Sequence, residues 1–108
     1  MTLVSEITKA SFAVRDHRTA QDILTHAMTE LGELALEIQI DEGKSYKQAG
    51  EDGIVGEALD VIICMVDIIH RQMYPFFEEK DLIDMARPKL QKWMDKQAEI
   101  TAKLQGAQ

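Results

Sequence analysis

A long apolar segment in the second half of the chain constrains the fold more than any other feature. Residues 61–69 read VIICMVDII, and β-branched side chains of this kind suit a buried strand as well as a helix. The wider spacing favours the helix, because apolar residues recur at steps of three and four between residues 56 and 74. This stretch is about twice as long as an ordinary strand, and no second segment offers a strand to pair with it. We therefore expect an all-α protein built around this helix.

Two further helices are expected before the apolar segment. Residues 3–15 repeat apolar side chains at helical spacing and predict a weakly amphipathic helix. A stronger helix can start at Thr19, where Thr-x-x-Asp22 resembles a capping box with Asp in the usual Glu position. That helix can continue to about Glu42, because Gly43 is a suitable residue to end it.

A glycine-containing loop should separate these helices from the apolar one. Residues 41–53 read DEGKSYKQAGEDG, and their polar, glycine-rich character predicts a loop or a loop with a short helical turn. The apolar helix should begin near Asp52 or Gly53. It should end before Pro75, since the residue that precedes a proline avoids helical geometry.

Helical periodicity resumes after the sequence PFF. It runs from Glu78 to Met94, and Pro88 should either kink this helix or begin a second piece at its first turn. The tail from about Ile100 is rich in Ala, Gln and Lys and is expected to fray. Together the segments predict one domain, residues 1–108, folded as an all-α bundle of four or five helices with the Glu57 helix at its centre.

Charge and composition exclude several classes of partner. A net charge of -7 and a pI near 4.8 disfavour a non-specific surface for nucleic acid or for anionic membranes. The apolar segment is too short and too charged to span a bilayer. No export signal is visible, and the single Cys64 cannot form an internal disulfide. We expect a cytoplasmic protein.

Acidic residues interrupt an otherwise apolar helix in the first half of the chain. TELGELALEI, residues 29–38, places Glu30, Glu33 and Glu37 within one narrow sector, given about 100° of rotation per residue. Apolar residues flank that sector on both sides. The acids therefore do not form an ordinary solvated helix face, although such a face is the usual role of helical glutamates.

The apolar helix repeats this design with Glu57, Asp60 and Asp67 in one sector. Helices that are apolar nearly all round should be buried, and buried carboxylates without partners are strongly disfavoured. The chain offers too few cationic side chains to neutralise four facing acids. A hard divalent cation would do so directly, because carboxylate oxygens suit Mg²⁺ or Mn²⁺. For Asp67, an ion pair with Arg71 at i,i+4 is an equal alternative.

At these residues the chain resembles the MazG-like all-α nucleoside triphosphate pyrophosphohydrolases, in particular the compact bacterial and phage members. The family mark is E-x-x-E, a spacer and E-x-x-D, matched here by Glu30-Leu-Gly-Glu33 and Glu57-Ala-Leu-Asp60. The resemblance covers about residues 15–97. Many members have a further glutamate where this chain has Thr29, which leaves open whether Glu37 or Asp67 supplies a third acid.

The resemblance implies hydrolysis of a nucleoside triphosphate to the monophosphate and pyrophosphate, with Mg²⁺, or Mn²⁺, as cofactor. It makes the four motif acids the metal ligands and makes Glu33 or Glu37 the group that orients or deprotonates water. Phosphate-binding lysines are expected on the last helix, and lysines of the glycine loop could close over the phosphates. These candidates are Lys89, Lys92, Lys96, Lys44 and Lys47, with His17 and Trp93 as candidates for stacking on the base.

Substrate and assembly are further expectations. The resemblance to compact members favours a deoxynucleoside triphosphate, with a purine such as dGTP ahead of a pyrimidine. Two helices that are apolar nearly all round would leave a monomer with large exposed patches, so we expect a homodimer or a tetramer built from dimers. Two alternatives are a non-catalytic helical interaction protein and a carboxylate-bridged di-metal bundle. The second would call for Glu-x-x-His motifs, whereas this chain has only Asp67-Ile-Ile-His70.

Overall fold

A computed structural model describes residues 1–15 and 17–106, and every regular element within them is an α-helix. The four helices are α1 (Leu3–Ala13), α2 (Ala20–Asp41), α3 (Gly53–Met73) and α4 (Glu79–Gly106). The prediction of an all-α protein is confirmed over this part of the chain, which contains no strand.

Capping boxes fix the starts of the first two helices. Thr2 caps α1 by accepting a hydrogen bond from the backbone N–H of Ser5, whose hydroxyl accepts from the Thr2 N–H in return. Thr19 and Asp22 make the same reciprocal pair at the start of α2, as their spacing predicts. Each box provides side-chain acceptors for two backbone N–H groups that would otherwise lack a partner at the start of the helix.

Glycines delimit the loop between α2 and α3. Gly43, with φ +73°, follows the last turn of α2, and Gly53, with φ +64°, opens α3. Both values lie in the left-handed region, where a residue without Cβ is unstrained. The loop is mostly exposed, and α3 ends at Met73, just before the Tyr74–Pro75 bond, which is cis. The predicted boundaries of α2 and α3 are therefore confirmed within one or two residues.

Helix α4 is continuous through Pro88. The proline lies inside the helix, so the two-piece alternative is wrong. The helix also continues past Ile100 to Gly106, so the segment expected to fray is helical as far as that residue, and residues 107 and 108 lie outside the described part.

The chain divides into two compact units, Met1–Phe76 and Phe77–Gln108. In the first unit α3 packs against both α1 and α2, so the Glu57 helix is central there, as expected. The buried core of this unit is small: Ile23, Ala27 and Cys64 form a cluster against which Ile68 is half-buried. The second unit consists of α4 and the short segment that precedes it. Over the described residues, none of the helices combines the length and the hydropathy needed to cross a membrane.

Candidate metal centre

Carboxylates of α2 and α3 converge where the two helices pack. One oxygen from each of Glu30, Glu33 and Glu57 lies within 4.8 Å of the others, and Asp52, Glu57 and Asp60 form a second group with the same spacing. Glu57 belongs to both groups, so the five acids make one carboxylate cluster. The E-x-x-E and E-x-x-D pairs each present two acids one helical turn apart, and helix packing brings the pairs together.

Asp52 enters the carboxylate cluster through a close approach that only glycine permits. It is the N-cap residue of α3, yet its side chain makes no capping hydrogen bond. A Cβ added to Gly56 would lie 2.5 Å from the Asp52 Cβ, which is a severe clash. Gly56 therefore allows Asp52 to fold over the first turn of α3, towards Glu57 and Asp60. Asp52 was not predicted as a site residue. The sequence signal that could have indicated it is its position directly before Gly53 and one helical turn before Gly56.

Two oxygens in the cluster are buried without a hydrogen-bond partner among the described residues. They are Oε2 of Glu30 and Oε2 of Glu57. The other oxygen of Glu30 lies 3.2 Å from Nε2 of His26, and only 12% of the Glu30 side chain is exposed. A buried carboxylate oxygen with no donor is costly to a fold, so a cation at this point would supply the missing interaction.

Burial and repulsion by neighbouring carboxylates raise the pKa values of Glu30 and Glu57. The pKa of Glu57 rises to about 7, first because burial disfavours its charged form and then because Glu33, Asp60 and Glu30 repel a further negative charge. Burial is also the main cause that raises the pKa of Glu30, followed by repulsion from Glu33 and Asp60. Without a cation, Glu57 and Glu30 therefore retain their protons to a higher pH than separate glutamates would.

The donor set suits a hard divalent ion. All ligand candidates are carboxylate oxygens, and their separations of up to 4.8 Å are close to twice the oxygen-to-metal distance of about 2.0–2.6 Å for Mg²⁺ or Ca²⁺. Mn²⁺ also accepts oxygen ligands. Neither group of candidate ligands among the described residues contains a histidine or cysteine.

Glu37, a candidate catalytic residue, lies one turn beyond the E-x-x-E motif and is bound to the loop. Its side chain is buried, and Oε1 accepts a hydrogen bond of 2.7 Å from the backbone N–H of Gly50. A Cβ on Gly50 would lie 2.8 Å from that same oxygen. Glu37 thus anchors the glycine loop to α2. It is absent from both groups of candidate ligands, and its catalytic role stays a prediction.

Asp67 is paired with Arg18 and not with Arg71, the partner that the sequence offered as an equal alternative to a role in the metal site. Its carboxylate accepts hydrogen bonds from Nη1 and Nη2 of Arg18. Its Oδ1 also accepts a 2.5 Å hydrogen bond from the hydroxyl of Ser11. The Arg71 guanidinium instead donates to the backbone oxygen of Arg15 over 3.1 Å. The interpretation of Asp67 and Arg71 as an ion pair is therefore wrong, and Arg18 is the partner that the sequence did not reveal.

The other predicted site residues belong to the glycine loop, to the connection between α1 and α2, and to α4. Lys44 and Lys47 lie in the exposed loop, where Lys44 is 3.6 Å from Glu42. His17 is exposed in the connection between α1 and α2. The other four candidates are exposed on α4, in the second unit: Lys89, Lys92, Trp93 and Lys96.

A pocket of about 270 Å³ adjoins the carboxylate cluster. It shares Asp60 with the cluster, and His26, which contacts Glu30, lines it as well. Its other walls carry both apolar and charged side chains: Arg18, Asp22, Ile23, Ile63, Cys64 and Asp67.

Comparison with known proteins gives no further identification. A scan against family models and searches of curated proteins and of solved structures found no match to this chain.

Proposed function

We propose that this protein is a metal-dependent nucleoside triphosphate pyrophosphohydrolase, which converts a (d)NTP to the (d)NMP and pyrophosphate. The observation that carries the proposal is the carboxylate cluster, in which the four motif acids and Asp52 meet and two buried oxygens have no donor among the described residues. Carboxyl groups whose pKa values are raised by burial and by neighbouring charges are candidates for a functional site. The type of reaction is the one that the motif resemblance implies.

The arrangement of acids suits hydrolysis at a phosphate. Glu30, Glu57 and Asp60 would hold Mg²⁺, which when bound neutralises phosphate charge and lowers the pKa of coordinated water. Glu33 is the most exposed of the four motif acids, so we assign it the proton acceptor role. Attack of water oxygen on the α-phosphorus forms one P–O bond and breaks the bond to the β-phosphate oxygen. The water proton passes to Glu33, and the bonding pair leaves with pyrophosphate.

Phosphate binding requires cations that the carboxylate cluster does not provide. A triphosphate would be repelled by a protein of charge -7 unless metal and lysines offset that field. Lys44 and Lys47 are suited to this role because their loop begins one turn after Glu37 and is tied to it. A phosphate-binding role for Lys89, Lys92 and Lys96 on α4 stays a prediction from the motif resemblance.

Assembly is part of the proposal. Exposed apolar side chains follow one another at helical spacing on α2, including Leu24, Met28 and Leu31, of which Met28 is 66% exposed. Surfaces of this kind normally mark an interface. A homodimer, or a tetramer built from dimers, would cover them. The same observation would serve a non-catalytic interaction protein, but such a protein has no use for converging carboxylates of which two oxygens are buried without a donor among the described residues.

Product analysis tests the reaction directly. The protein is incubated with each common NTP and dNTP in Mg²⁺ or Mn²⁺, and products are separated by chromatography. Monophosphate and pyrophosphate are expected. Diphosphate and orthophosphate would overturn the reaction assignment, whereas an inert protein that still binds a helical partner would favour the interaction alternative.

A further inference from the structure

A second cavity, of about 470 Å³, lies between the start of α2, the end of α3 and the connection from α1 to α2. Its volume falls within the range of about 300–1,000 Å³ that is usual for small-molecule sites. Arg15 and Arg71 both line it, and none of the other described residues that line it is acidic. We call it the arginine cavity. In a protein of net charge -7, its lining suits an anion.

Backbone oxygens hold both arginines in place. Nη1 of Arg15 donates to the backbone oxygen of Phe12 over 2.7 Å, and its guanidinium carbon lies 4.0 Å from the centre of the Phe12 ring. Nη1 of Arg71 donates to the backbone oxygen of Arg15 over 3.1 Å. Neither arginine forms an ion pair with a carboxylate among the described residues, whereas Arg18 pairs with Asp67. The two guanidinium groups are therefore positioned without being neutralised.

The hydrogen bonds of the two arginines leave a complete edge of each guanidinium for a ligand. In both cases Nη1 alone is used within the described part of the chain, and Nε and Nη2, which share one edge, make no hydrogen bond there. Such an edge donates two parallel hydrogen bonds to the oxygens of a carboxylate or a phosphate. A carboxylate presents two oxygens in one plane. A phosphate presents at least three in different directions, so it can accept from two separate guanidiniums.

Asp22 is the acid whose charge interacts with Arg71. Hydrogen bonds with Thr19 are the main cause that lowers the pKa of Asp22, and Arg71 contributes to the same shift. The carboxylate of Asp22 accepts the Thr19 N–H over 3.0 Å in the capping box, and it does not line the arginine cavity. Asp22 is therefore committed to the start of α2, beyond ion-pair distance of Arg71.

The arginine cavity is separate from the carboxylate cluster. Along α2, Ala20 at the cavity lies ten residues before Glu30, and along α3, Arg71 lies eleven residues after Asp60. At about 1.5 Å per residue, these spacings correspond to roughly 15 Å along each helix. A metal ion contacts oxygen at only about 2.0–2.6 Å, so an ion in the carboxylate cluster could not bind a phosphate that Arg71 holds.

We propose that the arginine cavity is a second binding site, which takes a phosphate group through Arg15 and Arg71. The phosphate is either the free ion or part of a small organic molecule. Tyr74, which also lines the cavity, offers a hydroxyl donor and a half-exposed ring against which an organic part can pack. This site goes beyond the proposed function and does not depend on it.

Binding in metal-free buffer tests the site. Inorganic phosphate, deoxyadenosine monophosphate, deoxyadenosine and acetate are titrated into the full chain at pH 7, and NMR follows the Nε–H signals of Arg15 and Arg71. Without a cation the carboxylate cluster repels phosphate, so binding reports on the arginine cavity. Both phosphates should shift these signals and the other two compounds should not. Tighter binding of the monophosphate would identify an organic phosphate, and equal or weaker binding would identify the free ion.

Three results would overturn the inference. They are the absence of binding by either phosphate, binding of deoxyadenosine as tight as that of its monophosphate, and binding of acetate as tight as that of inorganic phosphate.

Substitutions connect the binding to the two arginines. Arg71→Gln should weaken phosphate binding roughly 10- to 100-fold, the scale of losing hydrogen bonds from a charged group. Arg15→Gln should do the same, and because Arg15 is exposed, this variant tests the site even if Arg71→Gln destabilises the fold. Arg71→Lys keeps the charge but not the two-donor edge, so it should restore binding only in part. Circular dichroism checks that each variant is folded.

Arg87→Gln is the matched control, because it makes the same chemical change at an exposed position of α4. It should bind phosphate as the wild type does. Equal weakening by Arg87→Gln and Arg15→Gln would show that phosphate responds only to overall charge, and phosphate binding that neither cavity variant alters would place it elsewhere. Both results would overturn the inference.

The outcome is independent of the proposed reaction. A protein that hydrolyses no nucleotide but binds phosphate through Arg15 and Arg71 would overturn the reaction and leave the second site standing. A protein that releases pyrophosphate from a nucleotide, yet binds no phosphate in metal-free buffer, would overturn the second site and leave the reaction standing.

Discussion

Gly50 and Glu37 join the glycine loop to helix α2. The backbone N–H of Gly50 donates to Oε1 of the buried Glu37 over 2.7 Å, and a Cβ at position 50 would lie 2.8 Å from that oxygen, so the Glu37 side chain would have to shift. Glu37 lies one turn after the E-x-x-E motif, so the loop that carries Lys44 and Lys47 is held near the carboxylate cluster. A backbone N–H that bonds a carboxylate is one of the stronger hydrogen bonds in proteins.

This contact yields a test of how Glu37 acts. Glu37→Gln keeps an acceptor for the Gly50 N–H but cannot take a proton, whereas Glu37→Ala removes both functions. If Glu37 anchors the loop, the Gln variant should keep most of the pyrophosphate-release rate. The Ala variant should lose about 1.5–3 kcal/mol of stability, the usual contribution of a hydrogen bond to a charged group. Steady-state rates and urea unfolding measure both effects. A Gln variant that folds normally but loses activity would make Glu37 a proton acceptor.

The raised carboxyl pKa values predict how stability depends on pH. Glu57 has a folded-state pKa of about 7 against an ordinary value of 4.5. The folded state therefore holds this proton more tightly than the unfolded state, and the resulting stabilisation is complete below pH 4.5. That contribution is lost as pH rises towards 7. In metal-free buffer the melting temperature should therefore fall across this interval, and the raised pKa of Glu30 acts in the same direction. Mg²⁺ should restore the loss at pH 7 and above. Melting curves at several pH values with EDTA or Mg²⁺ provide the measurement.

Glu57→Gln is the control for that pH dependence. Because the amide is neutral at every pH, the decline should be much shallower in this variant, and Mg²⁺ should stabilise it little. A metal-free wild type whose melting temperature does not fall between pH 4.5 and 7, or falls no more than that of Glu57→Gln, would contradict the raised pKa of Glu57.

Removing single charges from the carboxylate cluster should abolish catalysis without unfolding the protein. Glu33→Gln and Asp60→Asn are each expected to lower pyrophosphate release at least about 100-fold, the scale of losing a general base or an electrostatic contact. Circular dichroism should stay native, and thermal stability in EDTA should be equal or higher because a repelled charge is gone. Variants that unfold in EDTA while the wild type does not would show instead that these acids are structural.

The small core of the first unit should be sensitive to truncation. Ile23 is 3% exposed and packs with Ala27 and Cys64, so Ile23→Ala should cost about 2–5 kcal/mol of the free energy of unfolding. Ile100→Ala, at an exposed position of α4, makes the same chemical change and should cost far less. Denaturant unfolding of the two variants compares them directly, and equal losses would argue against the described core.

Association should involve the exposed apolar face of α2. Sedimentation at micromolar concentration is expected to give a dimer or tetramer. Met28→Glu or Leu31→Glu should weaken that assembly at least about tenfold, since a charge would be buried in the interface. Lys9→Gln serves as the control on the surface of α1. A wild type that sediments as a monomer at these concentrations would remove the argument for assembly.

The sequence alone determined the local features of this protein, because each of them depends on residues close together in the chain. The Thr19–Asp22 capping box, the end of α2 before Gly43 and the end of α3 before Pro75 are set by contacts within one or two turns. The period of three and four residues in the apolar segment was likewise enough to distinguish helix from strand. The placement of Glu30, Glu33, Glu57 and Asp60 on apolar helices followed from the same periodicity.

Only the tertiary structure decided which distant groups meet. Arg18 and Asp67 are 49 residues apart, and Ser11 and Asp67 are 56 residues apart. For Asp67 the sequence offered only the near neighbour Arg71, since i,i+4 spacing cannot show what a packed helix presents from elsewhere. The same reason explains why Asp52 was missed. Its approach to the carboxylate cluster depends on the backbone at Gly53 and the empty space at Gly56, and on how α2 lies against α3.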